Sequence, residues 1–381
     1  MSEVAVALDE SHDRLRDSAR RFAEERIGPH VVDWEEAGEF PRELYREAAA
    51  AGLLGVSFPE ELGGGGGDLL HGLVASEGLL RGGSSGVVAG LGSLGIALPP
   101  ILLLGDDEQR QRFVPPVLAG ERIAALAITE PGTGSDVAGV TTRAVRDGDD
   151  YRISGSKLFI TSGVRADQVT VLARTSEEAH AGLTFFVVER GMRGFEVSRA
   201  LRKTGWCASD TAELSFDDVR VPARNRVGEE GSGFVSLMKN FQSERLALAF
   251  FGHATAEIVL EDALEYARER RAFGRPLTGF QVTRHKLAWM ATRVHAAKAF
   301  DYAVALRVQG GEYLVGEVSM AKNFAAEVAN EVCWEAVQIL GGMGYMRETR
   351  VERLSRDARL LPIGGGTTEV MNEVIGKSLG L

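Results

Sequence analysis

Apolar residues recur at three- and four-residue spacing through the first third of the chain, from about residue 9 to residue 119. The spacing is clear in LRDSARRFAEERI (15–27) and PRELYREAAAAGLLG (41–55), and DDEQRQRFVPPVLAG (106–120) begins with acidic residues that favour a helix start. This pattern predicts several helices. The glycine run 63–67 separates two of them, and because no strand precedes it we interpret it as a flexible connector.

A different pattern begins near Ile123 and continues to Val227. Its short segments are rich in β-branched and aromatic residues, and glycine or charged residues separate them: YRISGSKLFITSG, QVTVLART, LTFFVVER and AELSFDDVRV. Such segments are typical of strands. The pattern predicts a compact antiparallel β domain.

The helical pattern returns after Ser232 in three runs of bundle length, 232–271, 283–309 and 315–340. No internal repeat is visible. The sequence therefore predicts an α+β fold, with an N-terminal helical domain (1–122), a middle β domain (123–231) and a C-terminal helical bundle (232–381).

Composition and charge exclude some classes of protein. The 381 residues exceed what one hydrophobic core usually supports, and the net charge of −11 argues against nucleic acid and anionic membranes as general partners. No apolar run approaches membrane-spanning length, and residues 1–30 lack the apolar core of a signal peptide. Cys207 and Cys333 suit neither a disulfide framework nor a metal site. We expect a cytoplasmic protein without a bound metal.

The segment GLGSLG (90–95) matches the glycine pattern of dinucleotide-binding folds. That pattern has meaning only between a strand and a helix. Here helical sequence surrounds it, and Pro99 and Pro100 follow closely. We therefore interpret these glycines as small residues that allow close helix packing or leave room for a ligand.

Two segments of the β region could bind a ligand. In AITEPGTGSDVAG (127–139), Gly132 and Gly134 allow a tight turn among hydroxyl side chains, which suits an extended polar ligand. A plain β-turn with an Asx-type cap at Asp136 is equally consistent with this sequence. In the second segment, Phe159 and Thr161 are two residues apart and therefore lie on the same side of a strand.

The third segment, QILGGMGYMRETRVERLSRDARLLPIGGGTTEV (338–370), ends in glycines whose backbone N–H groups a ligand can approach closely. With ITEPGTGSD (128–136) and ERRAFGRPLTGFQ (269–281), it resembles the acyl-CoA dehydrogenase family of flavoproteins over nearly the whole chain. The resemblance implies the helical–β–helical order, bound FAD, an acyl-CoA substrate, an electron-transfer flavoprotein as electron acceptor, and a homotetramer.

The resemblance also assigns residues to FAD. Phe159 stands where many members have tryptophan and Ser162 where asparagine is frequent, so an aromatic platform and a polar group are kept. Without the resemblance, Arg270 in the charged segment EYARERR would be interpreted as a solvated helix residue. The implied contacts within one subunit are Ile128, Thr129, Gly134, Ser135, Phe159, Thr161, Thr367 and Glu369. Those to the FAD of a neighbouring subunit are Arg270, Phe273, Gln281, Gln338, Gly341 and Gly342.

The residue at the usual position of the catalytic base in this family is a glycine in this chain. Many members carry it directly before the glycine–threonine of the C-terminal loop, where this chain has Gly365. Glu244 falls in an apolar helical stripe, between Phe241 and Leu248, so burial would raise its pKa towards neutrality, as suits a base. Taken alone, such a glutamate would be interpreted as paired with a distant arginine. The isovaleryl-CoA and long-chain members carry their base on this helix and have glycine in the loop, so the resemblance implies Glu244.

The implied reaction is FAD-dependent α,β-dehydrogenation of a saturated acyl-CoA to the trans-2-enoyl-CoA. The Gly365 N–H would hold the thioester oxygen together with a hydroxyl of FAD. Gly366 would lie beside the thioester, and Ser135, Gln242 and Arg245 match positions near CoA. Two alternatives stay open, a flavin monooxygenase on the same fold and a non-catalytic acyl-CoA-binding module. The sequence leaves the length and branching of the acyl group undetermined.

Overall fold

The computed structural model describes residues 8–381. Residues 1–7, which belong to the predicted N-terminal domain and to the stretch expected to lack a signal peptide, lie outside the described residues. The helices that precede the sheet are α1 (Glu10–Phe22), α2 (Val31–Ala37), α3 (Glu43–Ala50), α4 (Leu69–Leu80), α5 (Ser85–Leu91), α6 (Leu94–Ala97), α7 (Pro99–Leu104), α8 (Asp107–Phe113) and α9 (Pro115–Leu118). Asp9, Asp68 and Asp106 cap α1, α4 and α8 with reciprocal side-chain and backbone hydrogen bonds.

The two glycine-rich segments of this region both pack closely. The run 63–67 folds back on residues 55–59, where the Gly66 N–H donates to the Phe58 carbonyl at 2.9 Å and the Gly67 N–H to Val56 at 2.9 Å. The prediction of a flexible connector is therefore wrong. The segment 90–95 lies in helical surroundings as predicted, and a Cβ at Gly90 would lie 2.6 Å from the ring of Phe40.

The central sheet contains β1 (Ala124–Ala127), β2 (Arg143–Asp147), β3 (Asp150–Thr161), β4 (Gln168–Arg174), β5 (Leu183–Glu189), β6 (Phe195–Ala200), β7 (Thr211–Pro222) and β8 (Arg226–Val227). Its strand order is β6-β7-β3-β2-β4-β5-β8, and β1 also pairs with β4. Most pairs are antiparallel, but β1 and β2 both run parallel to β4, so the predicted antiparallel domain is a mixed sheet. Strands β4 and β5 are buried on both faces because helices cover one side and a second apolar cluster the other.

The last part of the chain is a helical bundle of α10 (Gly233–Glu269), α11 (Gln281–Gln309), α12 (Val315–Leu340), α13 (Arg350–Ala358) and α14 (Thr368–Ser378). A short hairpin of β9 (Arg271–Ala272) and β10 (Arg275–Pro276) joins α10 to α11. A Cβ at Gly252 would lie 2.8 Å from the Ala325 backbone, so this glycine lets α10 and α12 approach closely. Within residues 8–381 no single helix combines the length and apolar composition of a membrane span, and only the bent pair 85–91 and 94–104 does so jointly.

Candidate active site

The loop between α13 and α14 has a backbone that only glycine adopts easily. Gly365 has φ +64° and Gly366 has φ +101°, both in the left-handed region. Thr367 ends the loop as the cap of α14, because its hydroxyl accepts the N–H of Val370 at 3.3 Å. Within the described part of the chain, the N–H groups of Gly365 and Gly366 have no acceptor. The loop therefore presents two free backbone donors.

Glu244 on α10 faces this loop. A Cβ placed on Gly365 would lie 3.8 Å from Oε1 of Glu244, so the carboxylate occupies the space that a side chain at position 365 would enter. Leu237 and Phe251 of the same helix are buried and Phe241 and Leu248 are half-buried, which confirms the predicted stripe. Structure and sequence thus place Glu244 on the inward face of α10.

The electrostatic surroundings of Glu244 suit a group that exchanges a proton. Burial raises its pKa to about 7, although the positive charges of Arg245 and Lys322 act in the opposite direction. Among the residues that the structure describes, none forms a hydrogen bond with this carboxylate. A carboxyl group with a pKa near neutrality and a free lone pair can act as a general base.

Two cations hold the loop from opposite helices. The Nε of Arg245 donates to the Gly365 carbonyl at 3.3 Å, and its guanidinium lies 5.3 Å from the ring centre of Phe241. The Nζ of Lys322 on α12 donates to the Gly366 carbonyl at 2.6 Å. The sequence placed Arg245 near CoA and missed Lys322. A lysine inside the buried apolar face of a long helix was the signal that could have found it.

Gln242 and Ser135, the other residues assigned to CoA, differ in their surroundings. The Oε1 of Gln242 is buried and has no hydrogen-bond partner within residues 8–381, so a ligand could satisfy it. Ser135 is exposed in the loop after β1.

The loop after β1 owes its shape to a buried ion pair. Glu130 accepts the N–H groups of Thr141 and Thr142, each at 2.8 Å, and Lys157 donates to Glu130 at 2.9 Å and to the Ile128 carbonyl at 2.8 Å. Sequence reasoning missed Glu130 and Lys157, although buried charges of opposite sign in adjacent segments were a usable signal.

Two glycines of the same loop have free space around them. No atom outside the neighbouring residues lies within 4 Å of a Cβ placed on Gly132 or Gly134. Asp136 makes no side-chain capping bond, so the interpretation as an Asx-type cap is wrong. The backbone here is free for a close approach by a ligand, while Ile128 and Thr129 lie half-buried beside it.

The aromatic platform lies near this loop, because the Leu158 N–H donates to the Thr129 carbonyl at 2.8 Å. A bulge in β3 gives Phe159 a φ of +62° and leaves its side chain 65% exposed. Phe159 and Thr161 flank the buried Ile160, so both lie on the outward face as predicted. Ser162 is buried.

The residues assigned to a neighbouring subunit lie at the ends of the bundle helices. All of them are exposed, Phe273 almost completely at 96%, and the set is Arg270, Phe273, Gln281, Gln338, Gly341 and Gly342. Glu369 is exposed at the start of α14. The structure therefore divides the predicted FAD residues between a platform at the sheet and an exposed surface of the bundle.

Models of three domains match nearly the whole chain: the acyl-CoA dehydrogenase N-terminal domain over residues 9–121, the middle domain over 125–219 and the C-terminal domain over 231–380. The chain belongs to the acyl-CoA dehydrogenase family. The predicted family and the α+β fold are thereby confirmed, and the protein is an oxidoreductase of this family.

Individual relatives cover most of the chain. It is 42% identical to the mitochondrial long-chain specific acyl-CoA dehydrogenase of Mus musculus, over 97% of this chain and 86% of the relative. It is 36% identical to the caffeyl-CoA reductase–Etf complex subunit CarC of Acetobacterium woodii, over 98% and 99%. The solved glutaryl-CoA dehydrogenase of Mycobacterium smegmatis in complex with FADH2 superposes with a TM-score of 0.92 at 29% identity, over 98% and 95%.

FAD is the cofactor of this family, as predicted. The residues present fit such a group. The open backbone at Gly132 and Gly134 and the exposed ring of Phe159 offer hydrogen-bond donors beside a flat apolar surface, which a phosphorylated, ring-bearing cofactor requires.

Proposed function

We propose that this protein removes hydrogen from the α and β carbons of a saturated acyl-CoA, giving the trans-2-enoyl-CoA, with Glu244 as the base. The observation that carries this proposal is the position of Glu244, whose Oε1 lies 3.8 Å from the point that a Cβ on Gly365 would occupy. That is the place from which a glutamate in the loop would act. A substrate thioester between α10 and the loop would present its α-proton there.

The loop would hold the thioester. The unpaired N–H of Gly365 is a donor for the carbonyl oxygen of the substrate, and it would stabilise the negative charge that develops there as the α-proton leaves. Arg245 and Lys322 hold the carbonyls of Gly365 and Gly366, so the donor is fixed before the substrate arrives. Gln242 would complete the contacts to the CoA portion with its buried amide oxygen.

FAD, when bound, supplies the acceptor for the hydride that leaves the β carbon. We assign it to the platform of Thr129, Phe159 and Thr161, with Thr367 and Glu369 at the start of α14. An electron-transfer flavoprotein is the proposed electron acceptor. The exposed group that includes Arg270 and Gln281 would reach the FAD of a second copy, which requires at least a dimer. The homotetramer stays a prediction. The cytoplasmic location stays a prediction.

One relative favours a second candidate function. The Acetobacterium protein is a caffeyl-CoA reductase–Etf complex subunit, and it is 36% identical over 98% of this chain. Reduction of a 2-enoyl-CoA is the same reaction in reverse, and Glu244 would then return a proton to the α carbon. The direction depends on the electron partner, so the geometry of the site serves both.

The first experiment is anaerobic mixing of the FAD-loaded protein with saturated acyl-CoA thioesters of graded length and branching. Loss of the visible flavin absorbance with some thioesters supports the dehydrogenase and ranks its substrates. Protein that carries FAD but is bleached by none of them would contradict the proposal. Rapid reoxidation by oxygen with a hydroxylated product would instead indicate a monooxygenase.

A further inference from the structure

Lys322 is a buried cation that the reaction outlined above does not require as a reactant. It lies on α12 with no solvent exposure, among Val318, Ala321 and Ala325. Its Nζ forms a 2.6 Å hydrogen bond with the carbonyl of Gly366. Burying an ammonium group is costly unless it is paired, so its presence inside an apolar helix face needs an explanation.

The charged groups that face Lys322 come from every helix around the loop. Glu244 and Arg245 approach from α10, and Glu369 from the start of α14. Burial and the like charge of Arg245 lower the pKa of Lys322 to about 8, while Glu244 and Glu369 act in the opposite direction. At neutral pH the ammonium form therefore predominates, and its positive charge acts to lower the pKa of Glu244.

We propose that Lys322 is a positioning residue for this reaction: it anchors the loop through the Gly366 carbonyl and its charge favours the ionised form of Glu244 when substrate covers the site. This inference rests on the proposed function, because it assigns Lys322 to the same reaction. Arg245 also lowers the pKa of Glu244, and more strongly than Lys322 does, but its Nε donates to the carbonyl of Gly365, so within residues 8–381 the side-chain bond to the Gly366 carbonyl comes from Lys322.

A positive charge near Glu244 matters most when substrate and cofactor fill the site. Excluding water weakens the solvation of a carboxylate and raises its pKa further, which would leave the base protonated. A fixed cation close by opposes that rise without donating a proton to the substrate. Because the cation is bonded to the loop and not to Glu244, the carboxylate keeps its lone pair for the α-proton.

Three substitutions separate the hydrogen bond that Lys322 donates to the loop from the positive charge that it carries. Lys322→Gln can still donate to the Gly366 carbonyl but has no charge, Lys322→Met has neither, and Lys322→Arg keeps the charge. Lys286→Met is the matched control, since Lys286 on α11 lies at the half-exposed helix surface, paired with Glu335 at 2.6 Å. Retention of FAD and the unfolding temperature are measured first for each variant.

The decisive measurement is the pH dependence of flavin reduction at saturating acyl-CoA in a single turnover. We expect Lys322→Gln and Lys322→Met to shift the midpoint upward by about one pH unit, which is a rate loss of about tenfold below the midpoint. Lys322→Arg and Lys286→Met should keep the midpoint of the wild type. Unchanged midpoints in the two neutral variants, or loss of FAD from all three Lys322 variants, would overturn the inference.

A second measurement does not depend on turnover. In a double-mutant cycle, Lys322→Gln is made in the wild type and in Glu244→Gln, and the unfolding temperatures are compared at pH 5.5 and pH 7.5, where Lys322 keeps most of its charge and Glu244 changes from neutral to ionised. We expect Lys322→Gln to lower the unfolding temperature more at pH 7.5 than at pH 5.5 when Glu244 is present, and by similar amounts at both pH values when it is absent. Equal losses in both backgrounds would contradict the coupling, even if no acyl-CoA were ever found to bleach the protein.

Discussion

In the proposed reaction Glu244 is the base, and Gly365 stands where the resemblance places a glutamate in many members of the family. We predict that Glu244→Gln lowers the rate of flavin reduction by at least about a hundredfold, the scale of a positioned general base. The amide has nearly the same shape, so FAD content should be unchanged. Stopped-flow absorbance with the best thioester measures the rate. Turnover close to that of the wild type would remove Glu244 from the mechanism.

Moving the carboxylate into the loop requires more than a swap of the two residues. A Cβ on Gly365 would overlap Cδ1 of Leu248, and the φ of +64° strains any other residue. We therefore predict that Glu244→Gly with Gly365→Glu is nearly inactive, and that adding Leu248→Ala restores part of the rate. Equal rates for the double and triple variants would show that Leu248 does not limit the loop.

In the proposed reaction, the pKa of Glu244 sets the pH range of activity. Because the carboxylate is the active form, we predict that the rate rises with pH through about 7 and then levels off. Rising pH has the opposite effect on the stability of the fold. A folded-state pKa raised above its ordinary value means that protonated Glu244 stabilises the fold at low pH, and that this contribution is lost as pH rises through about 7. A rate profile without a midpoint near 7 would contradict the first prediction.

Three helices are joined by a buried charge network distant from the loop. His253 on α10 bonds Glu77 on α4 at 2.7 Å and Asp301 on α11 at 2.6 Å. Burial alone would lower the pKa of His253, but the bonds to Asp301 and Glu77 raise it to about 9. Its stabilising contribution is complete below the ordinary pKa of histidine and is lost as pH rises through about 9.

We predict that His253→Gln lowers the free energy of unfolding by about 3 to 5 kcal/mol at pH 7, because it leaves two buried carboxylates without their cation. The variant should also lack the decline in stability as pH rises through about 9. Denaturant titrations at neutral and alkaline pH measure this. The matched control is His295→Gln on α11. Its ring hydrogen-bonds the Ala291 carbonyl of its own helix, so the change should alter stability by less than about 0.5 kcal/mol.

The sequence predicted the elements well because helix and strand periodicity is local. The runs 283–309 and 315–340 correspond closely to α11 and α12, and the stripe that contains Glu244 is buried at Leu237 and Phe251 and half-buried between them. The parallel pairing of β1 with β4 could not be read from either strand, since it joins residues far apart in the chain. Lys322 and the pair Glu130–Lys157 were missed for the same reason: what they contact lies on another element.

Over the molecule as a whole, the proposed FAD site is divided between two surfaces of one chain. The platform at Phe159 belongs to the sheet, whereas Arg270 and Gln281 lie exposed at the junction of α10 and α11. If these surfaces meet only between copies, each active site needs two chains. Mixtures of variants can test this arrangement, and no single variant can.

Glu244→Gln removes the base from its own site, and Arg270→Glu places a negative charge where the partner's FAD phosphates would lie. We predict that each variant alone is inactive and that co-assembled subunits, isolated with two different affinity tags, recover activity. In such a pair one site combines the intact Glu244 of one chain with the intact Arg270 of the other. If Arg270 served its own chain, neither site of the mixed assembly would be complete, and activity would not return. A mass measurement in solution that found only monomers would contradict the shared site before any mixing.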